Sequence, residues 1–441
     1  MRPLLAILFL LLLATPAPAA PAPPPDEAER LYQAYGDAVY QVQVIDLTSG
    51  KKTSIGSGFQ FSKDGLIATN YHVVAGAIQR PGGNRIEFLN DKGDSGPLKV
   101  LIADVVHDVA IVRMDKPGNT WLTLGTSKLP KGTKLFSLGN PHDIGFTIIE
   151  GTFSGLSKDS FVDNIHFSGA LNPGMSGGPA IGHDGNVAGI NVATAGNEIS
   201  FLVPVEPLKA LLARYDSLPP GYNFVDHAAA HIQEQLLASQ DHNINALLAN
   251  KKWESVPFGP VSVPGHIHDA LKCWGGTNYK ETDPYEEYFS ICASQDRLFL
   301  DSDASGNDFD TGSILYRYSY ITGKDKLNLA RFYNFYQGQF SVPGGDYQNA
   351  REGDVTNFDC NSRFVDLAGF RWKANFCIRQ YKKYPAIFDM QLYMAIVGDG
   401  KKGFIATLSA QGISRQNAQA FARRFMSEIK PGKATSQKVS P

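Results

Sequence analysis

The sequence predicts a mainly β chain: two β-rich domains separated by a helical linker and closed by a C-terminal helix. Three observations carry that expectation. Between Ala38 and Val205, short β runs are split by Gly, Asn and Asp turns with no helices between them, the pattern of antiparallel barrels or sandwiches. From about residue 265 to 410, aromatic runs such as LYRYSYI, RFYNFYQGQF and FDMQLYMAIV become dense. The chain has 441 residues, and at about 100–200 residues per domain that implies two or three units.

Taken in order, residues 1–19 read as an export signal. Arg2 supplies the positive start, Leu4 to Ala14 form an apolar run, and Ala17-Pro18-Ala19 offers the small residues a signal peptidase needs. The run is short for a spanning helix, which needs about 20 apolar residues. Cleavage after Ala19, a secreted or periplasmic location and no stable membrane anchor afterwards are therefore expected. Residues 20–35 form a leader, stiff and extended through APAPPP and helical over 26–36. The first β domain spans 36–215, with runs AVYQVQVIDL, SIGSGFQF, GLIATN, RIEFLN, LKVLIADV, VAIVRM, TKLFSLG, GFTIIEGTFSG, NVAGINVAT and EISFLVPV. PVEPLKALLARY (204–215) ends it as a helix with a proline entry. The linker, 216–264, holds a helical segment, HAAAHIQEQLLASQDHNINALLANKKW, and a Pro/Gly break, VPFGPVSVPGH. The second β-rich domain covers 265–430 and ends in the helix SRQNAQAFARRFMSEIK; residues 431–441 read as a disordered tail.

Lys and Arg total 41 and Asp and Glu 43, for a net charge of −2. That balance gives no electrostatic case for nucleic acid or an anionic membrane as partner. The four cysteines, Cys273, Cys292, Cys360 and Cys377, all lie in the C-terminal half. In an exported chain an even count reads as disulfides. Of the three pairings, Cys273–Cys292 and Cys360–Cys377 are favoured because short loops close more readily. No Cys-x-x-Cys pair suggests zinc. The stretch Asp301, Asp303, Ser305, Gly306 resembles the start of a calcium loop, but Gly312 stands where a bidentate Glu belongs. An acidic β-turn is expected there, with no metal and no cofactor. The aromatics of the second domain read as core and cross-strand pairs, with a platform for a protein or glycan ligand as the alternative.

Three segments carry chemistry. In TNYHVVAGA (69–77) a β run ends and His72 sits where a short helix begins. In ADVVHDVAIVRMD (103–115) Asp108 precedes an apolar strand. In NPGMSGGPAI (172–181) Ser176 is held between glycines. A serine hydroxyl needs a base within hydrogen-bond reach, and the oxyanion it creates needs fixed donors. Glycines let a loop curl its N–H groups around that oxygen, here those of Gly174 and Ser176. His72 would take the Ser176 proton, and Asp108 would hold the imidazole tautomer. The order His, Asp, Ser is one of three known for this geometry. The gaps leave room for one small barrel per half, with the site between them.

These segments, together with GSGFQFSKDGLIATNYHVV (56–74), HDVAIVRMD (107–115), LFSLGNPHDIGFTIIEGTFSG (135–155) and ALNPGMSGGPAIGHDGNVAGINVAT (170–194), resemble the HtrA-type branch of trypsin-like serine proteases over about residues 36–215. The resemblance implies two six-stranded β-barrels with the site in the cleft between them, and endopeptidase cleavage of polypeptide substrates without a cofactor. It implies His72 as general base, Asp108 as orienting acid, Ser176 as nucleophile and Gly174 as an oxyanion-hole donor. It further implies that Ile190, Asn191, Val192 and Ala193 pair with substrate backbone, and that Ala170 floors the pocket for the residue before the scissile bond, favouring a small or medium apolar side chain. Two departures stand out: Met175 occupies the position where the family has Asn or Asp, and residues 265–410 resemble no domain of that family. A binding protein that keeps the scaffold without turnover is the rival reading.

Overall fold

The computed structural model describes residues 26–194, 200–250, 252–303, 306–340, 353–398 and 400–432. The expected export signal, the leader up to residue 25 and the tail from residue 433 lie outside the described residues.

Helix α1 (Glu27–Tyr35) leads into six strands, β1 (Val39–Asp46), β2 (Lys52–Gln60), β3 (Leu66–Thr69), β4 (Asn84–Leu89), β5 (Ser95–Asp104) and β6 (Val109–Met114), with helix α2 (Tyr71–Gln79) between β3 and β4. They pair in the order β1-β2-β3-β6-β5-β4 and close on themselves. Six more, β7 (Lys134–Gly139), β8 (Thr147–Leu156), β9 (Ile165–Phe167), β10 (Pro179–Ile181), β11 (Val187–Thr194) and β12 (Ser200–Pro204), close a second barrel in the order β10-β11-β12-β9-β8-β7. Closure removes open sheet edges and buries Val42, Phe59, Ile67, Ile111, Phe136, Phe167 and Ile190. Helix α3 (Val205–Asp216) follows the second barrel.

The linker is dominated by α4 (Phe224–Ala249), which buries Phe224, Ala228, Ile232, Leu236, Gln240, Ile244 and Leu247 along one stripe. Its first half lies on the first barrel, where the Gln235 amide accepts from the Val105 N–H at 2.8 Å and donates to the Ala103 carbonyl at 2.9 Å. The expected Pro/Gly break after it is instead a hairpin, β13 (Ser255–Phe258) and β14 (Val261–Pro264). Phe258 pairs with Val261, so Gly259 and Pro260 make a two-residue turn rather than a domain boundary.

The C-terminal domain runs through β15 (Leu271–Asn278), β16 (Tyr285–Ser294), β17 (Leu298–Ser302), β18 (Asp308–Thr311), β19 (Ile314–Gly323), α5 (Leu329–Gln339), β20 (Asp359–Leu367), β21 (Phe370–Gln380), β22 (Phe388–Ile396), β23 (Lys402–Ile413) and α6 (Arg415–Ser427). The short strand β24 (Lys430–Pro431) returns to pair with β14. An antiparallel sheet of order β15-β16-β19-β23-β22-β21-β20 forms its body, and β17-β18 is a separate ribbon. The disulfides Cys273–Cys292 and Cys360–Cys377 join residues directly opposite on β15/β16 and β20/β21, tying each edge strand to its neighbour. RFYNFYQGQF, read from sequence among the β runs, is helix α5 and its end. Asn328 caps it, and Phe332, Tyr336 and Phe340 recur every four residues, which puts them on one helical face against Ile321, Ala395 and Ile405. Helix α6 buries Phe421 and Phe425 against Trp372 and Phe404; Phe404 and Ile405 alternate on β23, so the two helices cover opposite faces.

The C-terminal sheet has its own core, but part of the domain joins the core of the barrels. Leu300, Phe309, Tyr381, Tyr384 and Ile387 are buried in the same cluster as the residues of the first barrel.

Candidate active site

Helix α2 begins without a side-chain cap at Asn70, which leaves orphan N–H groups at its positive end. Asp108 answers this. Its Oδ1 accepts the His72 main-chain N–H at 2.8 Å, and its Oδ2 lies 2.6 Å from His72 Nδ1. One carboxylate therefore caps the helix and fixes the imidazole. Asp108 itself sits at φ 54°, a left-handed conformation uncommon outside glycine. The Asn70 side chain holds it there by donating to its carbonyl at 2.8 Å. Just upstream, Asp104 accepts from the Val106 and His107 N–H groups and pairs with His107 Nδ1 at 2.7 Å, closing the turn that presents Asp108.

Burial alone would lower the His72 pKa, but the charge and hydrogen bond of Asp108, with a contribution from Asp308, raise it above the ordinary 6.5. The imidazole is 28% exposed and the Asp108 carboxylate 20%, so neither is sealed from solvent.

Ser176 lies in a loop stitched to the first barrel. Its carbonyl accepts the Ser57 N–H at 2.7 Å, and Ser57 Oγ donates to the Gly174 carbonyl at 2.7 Å. Asn191 donates from its buried side chain to the carbonyls of Leu138 and Met175, both at 3.1 Å. Two glycines are obligatory. Gly174 has φ +97°, and a Cβ there would stand 2.5 Å from the Asn140 carbonyl oxygen. Gly177 has φ +87°, and a Cβ would stand 2.2 Å from the Ser57 carbonyl oxygen and 3.0 Å from the Asn70 nitrogen. A Cβ on Gly56 would likewise meet the Val73 side chain at 2.5 Å and the Ser176 carbonyl at 2.9 Å. The Ser176 loop thus packs against residues on both sides of His72 in the chain. The Ser176 hydroxyl donates to the Val192 carbonyl at 3.2 Å. Among the described residues, the N–H groups of Gly174 and Ser176 make no hydrogen bond.

Met175 is completely buried among Leu135, Phe153, Ile165, Phe167, Leu171 and Leu202. Where the resembling family has a polar side chain, this loop is anchored by apolar packing. Ala170 is exposed, beside Leu171, whose N–H donates to Ser200 Oγ at 3.1 Å. Ile190 and Asn191 do not present an open edge. Their side chains are fully buried, and the Asn191 N–H and carbonyl are bonded to Gly178 and Gly177. Strand β10 begins opposite Ile190 and the Gly177-Gly178 backbone bonds to Asn191, so the edge left unpaired starts only at Val192. Sequence reasoning missed Ser57 and Asn191 as supports of the Ser176 loop. A serine between glycines, GSG at 56–58, was the available sign of a close backbone approach.

The family profile described as trypsin-like peptidase domain matches residues 56–190. That span holds all three of His72, Asp108 and Ser176. Residues 56–190 are a trypsin-like peptidase domain of the HtrA type. The chain is 32% identical to Protease Do-like 1, chloroplastic, of Arabidopsis thaliana over 39% of this chain and 41% of that one. It is 35% identical to a probable periplasmic serine endoprotease DegP-like of Halomonas elongata, over 40% and 38%. With serine protease HTRA1A of Danio rerio the identity is 34%, over 43% and 39%. The chain spans about two fifths of the length of these relatives.

Proposed function

We propose that the protein is an exported serine endopeptidase that hydrolyses polypeptides through an acyl-enzyme. The observation that carries this reading is the double contact of Asp108 with His72 beside a glycine-curled loop whose Gly174 and Ser176 N–H groups are unspent. In this reading the Ser176 hydroxyl leaves the Val192 carbonyl and donates to His72 Nε2. The hydroxyl oxygen then bonds to the substrate carbonyl carbon while its proton passes to Nε2. The Gly174 and Ser176 N–H groups receive the oxyanion, a term worth about 3–4 kcal/mol per donor. The C–N bond breaks as imidazolium protonates the leaving amine, and water repeats the sequence in reverse roles to free the acid. Val192, with its carbonyl beside the nucleophile and its edge unpaired, is the strand position at which substrate backbone adds. Export rests on the N-terminal signal pattern and on the periplasmic name of the Halomonas elongata relative. No helix of the described residues is long and apolar enough to cross a membrane.

A fluorophosphonate probe tests the assignment. Wild type is expected to be labelled and to cleave casein, and Ser176→Ala to do neither. Folded wild type that takes no probe and cleaves nothing would instead establish the non-catalytic scaffold.

A further inference from the structure

The C-terminal domain reaches the site through one short segment. At Asp296 it is tied to the second barrel: the carboxylate accepts from the Phe161 N–H at 2.7 Å and from Ser160 Oγ, both in the β8–β9 connection. At Leu300 and Asp301 it is tied to helix α2 of the first barrel. Tyr71 Oη and Gln79 Nε2 donate to the Leu300 carbonyl at 2.7 and 3.2 Å, and Arg80 Nη1 lies 2.5 Å from Asp301 Oδ2. The stretch 296–301 therefore crosses from one barrel to the other. Phe299, between the two anchors, stands edge-on to the His72 imidazole at 6.1 Å between ring centres and 74° between planes. It also packs on Tyr71 at 6.3 Å. Phe299 is only partly buried, so some of the residue is open to solvent. On the neighbouring strand β18, Asp308 is near enough for its charge to act on His72.

A substrate that reaches Ser176 must pass the open face of His72, and that face is flanked by Phe299. We infer that Phe299 lines a substrate subsite beside His72 and selects a bulky apolar side chain there, so that the C-terminal domain supplies part of the peptidase's specificity. This rests on the peptidase reading above. The chemistry is a packing one. An aromatic wall next to a partly desolvated imidazole offers apolar contact and excludes water, and it offers nothing to glycine. Such a contact separates large from small residues by about 10-fold to 200-fold in kcat/KM. The two anchors make the wall rigid, which specificity requires.

The test uses the full chain and fluorogenic peptides varied at two residues on each side of the scissile bond. In wild type one of these positions is expected to favour bulky apolar residues over glycine. In Phe299→Ala that preference falls about 10-fold while preferences at the other positions hold. Phe299→Leu, which keeps the packing against Tyr71, is expected to shift the optimum toward a different apolar shape without loss of fold. Labelling of wild type by the fluorophosphonate separates the two claims. If wild type is labelled and both variants keep its selectivity profile at every position, the subsite is overturned and the peptidase reading stands. If folded wild type is neither labelled nor active, both fall together.

Discussion

Asp108→Asn is the sharpest perturbation of the site, because the structure fixes what the amide must do. The amide oxygen of the variant keeps the His72 main-chain N–H that now lies at 2.8 Å from the carboxylate. Its NH₂ group then faces His72 Nδ1, the atom that sits 2.6 Å from the other carboxylate oxygen. An amide nitrogen can only donate there, so Nδ1 becomes an acceptor and the ring proton moves to Nε2, where the base needs its lone pair. The imidazolium of the transition state also loses its counter-charge. Together these cost about 10⁴-fold in kcat, or roughly 5.4 kcal/mol at 1.36 kcal/mol per decade. The pH profile moves in a defined direction. Burial pulls the His72 pKa down, but Asp108 more than compensates and holds it above 6.5. The base works when neutral, so the wild-type acid limb lies above pH 6.5 and shifts to lower pH in the variant. The same raised pKa adds stability that is complete below pH 6.5 and fades as pH rises through the folded value; the variant loses that slope. The assay is kcat/KM on a peptide ester across pH, alongside the rate of fluorophosphonate labelling. A variant that keeps a tenth of wild-type activity, or an acid limb that does not move, refutes the reasoning.

Other perturbations follow from the same geometry. Gly174→Ala places a Cβ 2.5 Å from the Asn140 oxygen at φ +97°; the donor it displaces predicts a kcat loss of about 10²-fold or more, and kinetics at wild-type level would contradict it. Met175→Asp places a polar residue of the family type among Leu135, Phe153, Ile165, Phe167, Leu171 and Leu202, and it is expected to cost about 3 kcal/mol or more in urea unfolding at pH 7; an unchanged midpoint would show that the site opens to water. Burial pushes the Asp104 pKa up and the His107 pKa down, yet their contact reverses both, leaving Asp104 lowered and His107 raised. Their contribution is therefore greatest between the ordinary values of 3.8 and 6.5. It is lost below that window as Asp104 protonates and above it as His107 discharges. Asp104→Ala should show its largest stability deficit near pH 5 and a smaller residual one of about 1 kcal/mol at pH 8.5 from the lost turn caps; a gap independent of pH would rule out the pair.

The barrels were legible because their short β runs are split by turn residues, and the strands missed there, β9 and β10, are three residues long. Ser176 and its glycines could be found because a loop of this kind admits few other residues. The ribbon β17-β18 carried no such sign. Its closeness to His72 depends on Tyr71, Gln79 and Arg80, ordinary residues on the outer face of α2, meeting partners more than 200 positions away. Periodicity reports which face of an element is covered, not by what. Helix α5 was misread for a related reason: aromatic content favours strands, and only the four-residue spacing of Phe332, Tyr336 and Phe340 reveals the helix.

Helix α2 links these facts. Its first turn is held by Asp108, its inner face by Val73 and Val74 in the barrel, and its outer face by the C-terminal domain through Tyr71, Gln79 and Arg80. Tyr71 is fully buried, with its hydroxyl on the Leu300 carbonyl and its ring against Phe299. Burying an aromatic side chain of that size contributes about 1.5–3 kcal/mol. The helix that carries His72 is therefore stabilised from both domains at once. The ribbon β17-β18 therefore bears on the chemistry proposed for His72: removing it would uncover Tyr71 and the Phe299 side of the imidazole, and the position of His72 would then rest on Asp108 and the barrel alone.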